Sequence, residues 1–230
     1  MSHRGLVRDV NEDAILTDPT GVLWAVADGM GGHGHGDLAA DLVIDALARL
    51  PHGVFGRALL RDGLAEADHD VRGRALAEGL GPIGATVVAL MLAGGRAIVA
   101  WAGDSRGYLL RGGRLFAVTR DHSVVQELVD RGKLTPAEAA VHAEANVVTR
   151  AIGIEAAAEP EFAEFAVEPG DALLLCSDGL TRCLPEPEIT AHLLAAAGPE
   201  AACRTLIEAT LARGAPDNVS VVVVRIAATS

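Results

Sequence analysis

Ala27-Asp28-Gly29-Met30-Gly31-Gly32-His33-Gly34-His35-Gly36-Asp37 lies between two segments of different periodicity. Ahead of it runs Val22-Leu23-Trp24-Ala25-Val26-Ala27, apolar and rich in strand formers. Behind it, Leu38 to Leu50 carries apolar residues at helical spacing. A buried strand therefore ends in a carboxylate, and five glycines within residues 29–36 lead into a helix. Glycine at this density is costly to order. It is tolerated where backbone passes close to another group, such as a phosphate or a metal. Taken alone, the stretch fits a glycine-rich turn with a surface Asp as well as it fits a cation site.

Upstream, Asp18-Pro19-Thr20-Gly21 is turn chemistry, so residues 14–27 read as a hairpin. In residues 2–13 the apolar anchors are Leu6, Val7 and Val10. Downstream, a helix is expected from Asp37, which would cap it, to Leu50, ended by Pro51-His52-Gly53. A second helix is expected over 54–78. Strands at 85–93, 97–102, 107–110 and 115–119 are joined by short Gly-containing turns and read as one antiparallel meander. Their continuous apolar runs predict cover on both faces, with Trp24 and Trp101 in the core. A helix at 123–131 and a Thr135-capped turn with Pro136 at its first position follow. Residues 141–149 lack a clear period and are the expected flap. Strands at 161–167 and 172–176, helices at 186–197 and 199–213, and a strand at 219–226 complete the chain. Without linker or repeat, residues 1–230 read as one domain.

Composition narrows the function. Half the residues are apolar, enough for a sizeable core, but aromatics are scarce, so Ala, Leu and Val must fill it. Nineteen basic residues against 31 acidic ones give a net charge of −12, which argues against nucleic acid or an anionic membrane as partner. Cys176, Cys183 and Cys203 lack metal-type spacing and read as reduced thiols, mostly buried. No apolar run approaches the roughly 18–20 residues that span a bilayer. Met1-Ser2-His3-Arg4-Gly5 has no signal-peptide core, so a cytoplasmic location is expected.

One pattern recurs four times: an apolar strand beside an Asp in a Gly-containing turn, at Asp28, Asp104, Asp178 and Asp217. Glu12-Asp13 adds a fifth acidic position next to a strand. Carboxylates gathered at strand ends repel one another unless cations lie between them. Oxygen ligands without His or Cys pairs at zinc spacing suit Mg²⁺ or Mn²⁺. Two such ions about 3.5–4 Å apart can generate a hydroxide and clamp a phosphoryl group.

The series Ser2-x-Arg4-Gly5-x-Val7-Arg8-x-x-Asn11-Glu12-Asp13, Ala27-Asp28-Gly29-Met30-Gly31-Gly32-His33, Gly84-Ala85-Thr86, Gly103-Asp104-Ser105-Arg106-Gly107-Tyr108, Leu175-Cys176-Ser177-Asp178-Gly179-Leu180 and Asp217-Asn218-Val219-Ser220 resembles the bacterial branch of the metal-dependent protein phosphatases, type 2C. The motifs run in the family's order across residues 2–226. The resemblance implies an α+β fold, a four-layer α-β-β-α sandwich of two antiparallel sheets flanked by helices, with a flap at about 121–150.

It also implies roles. Asp28 would bridge two Mn²⁺ or Mg²⁺ ions, the Gly29 carbonyl would bind the second, and Asp178 and Asp217 would complete the first ion's ligands. Asp104 and Asp178 would hold a third, weaker ion. Glu12 and Asp13 would act through metal-bound waters, and Arg8 would grip the substrate phosphate. The attacking group would be the bridging hydroxide, directed at phosphoserine or phosphothreonine in proteins. Phosphorylated proteins and a cognate bacterial Ser/Thr kinase are the implied partners, and a monomer is expected. The resemblance extends to phosphatases that oppose the kinase of type VI secretion.

The chain departs from the family at Met30, where eukaryotic members often carry His, at Ala85, and at His142-Ala143, where the flap usually has His-Pro. It also begins almost at the Ser-x-Arg-Gly element, where most members have a preceding strand: either the start is misplaced, or the first strand is absent and one sheet edge is less protected. His33, His35, His122 and His142 read as loop residues without a catalytic role. For Asp104 a turn residue paired with Arg106 is the alternative, for Arg8 a surface salt bridge, and for Glu12 and Asp13 local capping. Arg4 reads as structural. A phosphatase specialised for one anti-anti-sigma-type protein and a non-catalytic phosphoprotein-binding regulator are the alternative functions.

Overall fold

The computed structural model describes residues 1–32, 34–51, 53–154 and 159–227; His33 and His52 lie outside that range. The elements run β1 (Ser2–His3), β2 (Asp13–Thr17), β3 (Leu23–Gly31), α1 (Gly36–Ala48), α2 (Arg57–Glu78), β4 (Ile83–Ala93) and β5 (Arg96–Ala102). There follow β6 (Arg106–Arg111), β7 (Arg114–Ala117), α3 (Val124–Asp130), α4 (Pro136–Ala139), β8 (Glu161–Ala166) and β9 (Ala172–Cys176). The chain continues with α5 (Asp178–Cys183), α6 (Glu186–Ala195), α7 (Pro199–Ala212) and β10 (Val219–Arg225).

Two antiparallel sheets, ordered β1-β10-β9-β6-β7 and β2-β3-β4-β5-β8, pack face to face with helices outside. Strand alternation explains the layers. In β3, Ala25 and Ala27 face α1, whereas Val26 faces the other sheet. In β9, Leu173 and Leu175 point between the sheets, while Leu174 and Cys176 meet α5, α6 and α7. The helix-facing side of the second sheet is rich in Ala, at 25, 27, 85, 89, 100 and 102, which lets α1 approach closely with Ala39, Ala40, Val43 and Leu47. Between the sheets lie Val26, Val88, Leu90, Val99, Trp101, Leu173, Leu175 and Val222. Each such buried Leu or Val contributes about 1.5–3 kcal/mol relative to exposure. Trp24 packs, half-buried, against the same layer, and Cys176 and Cys203 are buried.

Five sequence expectations need correction. The strand that carries Asp28 does not end there: β3 runs on through Gly29 and Met30 to Gly31, paired with β4. The strands from 85 to 119 are not one meander: β4 pairs with β5 in one sheet, and β6 pairs with β7 in the other. The chain crosses between sheets at Gly103-Asp104-Ser105, and β8 takes the place beside β5. Asp37 does not cap α1. The helix begins at Gly36, and its first amide donates instead to Glu12 Oε1 at 2.9 Å. Leu6, Val7 and Val10 are not anchors; they are 62%, 68% and 47% exposed. Polar contacts hold that loop. Finally, the stretch after β9 is not a plain turn but the helix α5. The expected Thr135 cap with Pro136 at the first turn is present, and Glu138 extends it to a capping box by returning to the Thr135 amide.

β1 is two residues long and pairs with β10 at the sheet edge. Among the described residues no helix is long and apolar enough to cross a membrane.

Candidate metal centre

The acidic residues converge from the start of β2, from within β3 and from the segments that flank other strands. Asp13 and Asp28 are cross-strand partners in β2 and β3, and Thr86 faces Asp28 from β4. Asp104 sits at the sheet crossing, Asp178 opens α5 after β9, and Asp217 precedes β10. A cavity of about 430 Å³ is lined by Asp28, Asp104, Asp178 and Asp217 together with Arg8 and Arg182. Glu12 and Gly29 line it too. A second cavity of about 560 Å³ opens beside it, sharing Asp104, Asp178 and Arg182, with Gln126, Val129 and Ala139 of α3 and α4 on its far wall. The segment 121–150 thus borders the acidic cleft.

Two glycines permit this crowding. A Cβ on Gly29 would fall 2.0 Å from the Gly36 carbonyl oxygen and 2.7 Å from that of Glu12. The Gly29 amide donates to Glu12 O at 3.0 Å. Here β3 passes directly beneath the start of α1, and only glycine fits. A Cβ on Gly179 would fall 1.9 Å from the Asn218 carbonyl oxygen, so glycine lets α5 press against the loop that carries Asp217.

Asn218, buried and second in the last of the six motifs, is a fastener. Its Oδ1 accepts from the Glu12 amide at 2.8 Å, and its Nδ2 donates to the carbonyls of Arg4 and Val10, both at 2.9 Å. It thereby ties down the exposed loop that presents Arg8. Ser177, fully buried, donates to Asp13 Oδ2 at 2.8 Å and accepts from the Ser220 amide at 2.9 Å.

The carboxylates raise one another. Burial pushes Asp28 well above the ordinary carboxylate range, and Asp13, Asp178, Asp104 and Asp217 push it further. Asp178 is raised to about 7, by burial first and then by Asp104, with Arg182 opposing. Asp13 is raised to about 6, chiefly by burial, against its hydrogen bonds. Asp104 is raised by burial and then by Asp121. Five carboxylates and two guanidinium groups line the cavity, so negative charge is in excess.

The guanidinium groups are engaged. Arg8 donates from Nε and Nη2 to the two oxygens of Asp217, both at 2.9 Å. Arg182 pairs with Asp178 and reaches Asp217 Oδ2 at 3.1 Å. Among the described residues, no three His, Cys, Asp or Glu side chains converge ready to chelate a metal. Asp178 and Asp217 aim their oxygens at arginines instead. The donor set nonetheless fits hard divalent cations: it is all oxygen, it carries excess negative charge, and Asp13 Oδ1 is buried without a hydrogen-bond partner.

The residues singled out from the sequence thus divide. Arg8, Glu12, Asp28, Gly29, Asp104, Asp178 and Asp217 surround one cavity, and Asp13 is beside it on β2. The Asp104–Arg106 pair is not formed; Arg106 grips Asp121 at 2.8 and 2.6 Å. Glu12 caps α1 as well as facing the cavity. Ser177 and Asn218 lie within the quoted motifs but had no role assigned from the sequence, and Arg182 lies outside every motif. His122 lies in a loop, as expected, but a buried one: it is 7% exposed, stacks on Trp101 and accepts from the Gly103 amide at 3.1 Å. The Asp-His-Ser run after a strand held no separate signal for that burial.

Comparison with known proteins points the same way. Residues 3–209 match the family model for protein phosphatase 2C. The serine/threonine protein phosphatase PstP of Mycobacterium tuberculosis is 42% identical over 96% of this chain, which spans 43% of that protein's length. The structure of PppA, a key regulatory component of T6SS in Pseudomonas aeruginosa, is 46% identical and covers 98% of this chain and 95% of its own, with a TM-score of 0.88. The catalytic domain of PstP in complex with two manganese ions is 38% identical over 99% of this chain and 96% of that one, with a TM-score of 0.89. With a family model matching most of its length, two antiparallel sheets under helices and six ordered motifs, the chain belongs to the protein phosphatase 2C family.

Proposed function

We propose that the chain hydrolyses phosphoserine and phosphothreonine in proteins, using two Mn²⁺ or Mg²⁺ ions held at the acidic cleft. The observation that carries this reading is the gathering of Asp28, Asp104, Asp178 and Asp217 around one cavity beside the Arg8 guanidinium. Two divalent cations, when bound, neutralise the carboxylates, polarise phosphoryl oxygens and make water acidic enough to ionise near neutrality.

The chain's own groups do the rest. Asp28, inside the nine-residue strand β3 and paired on both sides, is held by the sheet and would suit a bridging role. Asp178 and Asp217 offer oxygens from α5 and the loop before β10, and the Gly29 carbonyl offers one more. Asp104 with Asp178 is the place for a third ion. Asp13 and Glu12 orient water at the margin, Asp13 being fixed by Ser177. Arg8 is 52% exposed at the rim. Its planar fork matches two phosphate oxygens as well as it matches Asp217. No covalent phospho-enzyme is required, and Cys176 agrees with that: burial pushes its thiol up to about 12, far from a nucleophile.

The segment 121–150 acts as the flap over the adjoining cavity within a single catalytic domain of residues 1–230. The natural partners are phosphorylated proteins and a cognate bacterial Ser/Thr kinase, with the chain acting as a cytoplasmic monomer. Hydrolysis of p-nitrophenyl phosphate and of a phosphothreonine peptide tests the reading, each with Mn²⁺ and with EDTA. Turnover that requires Mn²⁺ is expected; a folded protein inert under both conditions would remove the enzyme reading.

A further inference from the structure

Arg182 was not marked by any motif, yet it touches the centre of the acidic cleft. It lies on α5 one turn beyond Asp178. Helical side chains lean toward the N-terminus, so a long residue at this spacing reaches back over its partner. Arg182 pairs with Asp178 and, through Nη1, meets Asp217 Oδ2 at 3.1 Å. Its side chain is 31% exposed and lines both cavities.

Its contacts differ from those of the structural arginines. Arg106 ties Asp121 to Tyr108, Arg111 ties Asp171 to the Ala166 carbonyl, and Arg213 ties Glu188 to the Cys183 carbonyl. Each of these knits backbone or scaffold. Among the described residues, the polar partners of Arg182 are the carboxylates of Asp178 and Asp217. These are the same oxygens a divalent cation would need.

We propose that Arg182 is a tethered cation that competes with divalent metal for Asp178 and Asp217, so that metal loading displaces its guanidinium from them. The proposal rests on the metal-dependent reading above. It makes Arg182 a positioning residue with two opposed effects. It holds the mutually repelling carboxylates together at low metal, and it weakens metal binding. Lysine keeps the charge but lacks the planar fork that spans two carboxylates, so Arg182→Lys falls between arginine and a neutral residue.

The test is calorimetric titration of Mn²⁺ into chelator-treated wild type, Arg182→Gln, Arg182→Lys and Asp28→Asn, with thermal melts in EDTA alongside. Arg182→Gln is expected to bind Mn²⁺ about three- to tenfold more tightly than wild type, the scale of a partly exposed ion pair. Its melting temperature in EDTA is expected to fall, and the Mn²⁺-affinity gap to narrow as salt rises. A merely structural arginine would instead lower stability and weaken Mn²⁺ binding together. If Arg182→Gln does not fold in EDTA, Arg182→Lys carries the comparison, with tighter binding than wild type expected. Equal or weaker Mn²⁺ binding by a folded variant overturns the proposal alone. Wild type that takes up no Mn²⁺, or binds it unchanged in Asp28→Asn, overturns the metal-centre reading and the proposal with it.

Discussion

The two ends of β9 carry the same chemistry to opposite purposes. Before the strand, Asp171 is gripped by Arg111 from Nε at 2.9 Å and Nη2 at 2.6 Å, and it accepts from the Glu168 amide at 2.8 Å. That arginine holds the Asp171 carboxyl below its ordinary value. After the strand, Asp178 also has an arginine, but it lies among other buried carboxylates and is pushed up to about 7. One end is a closed pair. The other has more carboxylates than guanidinium groups and is left with charge that a divalent cation would balance. An Arg–Asp pair is therefore not informative by itself; the ratio of acids to bases around it is.

Replacing an acid of the cleft and an acid of the closed pair should have opposite consequences. Asp28→Asn removes a half-buried, repelled carboxylate. Mn²⁺-dependent turnover of a phosphothreonine peptide is expected to fall by more than about a hundredfold. The same variant should melt higher than wild type in EDTA, since a source of repulsion is gone. Turnover near the wild-type level would sink the assignment of Asp28.

Ser177→Ala probes the support beneath the cleft. It removes the hydroxyl that donates to Asp13 and accepts from Ser220. Mn²⁺ affinity should drop about tenfold, the usual penalty for losing a group that orients ligands from behind. An unchanged affinity measured by titration would show that Asp13 does not influence the metals.

Asp171→Asn probes the closed end. The melting temperature should fall by a few degrees while turnover per folded molecule is retained. Because the folded Asp171 pKa is depressed, the pair's stabilisation is present above the unfolded carboxylate value and is lost as pH falls through the folded one. The difference between wild type and variant should therefore shrink in melts taken from about pH 7 down to about pH 3. A difference that persists undiminished in acid would mean that the carboxylate charge is not what matters.

The asymmetry between these ends was partly legible in the sequence. Asp28, Asp104, Asp178 and Asp217 each announce themselves by ending or preceding an apolar run in a Gly-containing turn, and that pattern depends on local chain direction alone. The helix α5 was not legible. It has six residues, starts straight from a strand, and has no side-chain cap. Arg182 went unnoticed with it, because only a helix brings residue 182 over residue 178. The sheet crossing at Gly103–Ser105 was hidden for a related reason: a turn between antiparallel strands and a step from one sheet to the next use the same Gly-Asp chemistry. The Asp37 cap failed because Glu12, distant in sequence, supplies the acceptor through the β2–β3 pairing. Leu6, Val7 and Val10 misled because apolarity alone does not distinguish an anchor from an exposed loop held by Asn218 beneath it.

The most direct measurement is anomalous scattering from crystals of the protein grown with Mn²⁺. Two manganese peaks sharing Asp28, with Asp178 and Asp217 turned from their arginines onto metal, are the predicted result. Crystals containing Mn²⁺ with no peak within coordinating reach of Asp28, and with Asp178 and Asp217 still paired to Arg182 and Arg8, would contradict the account.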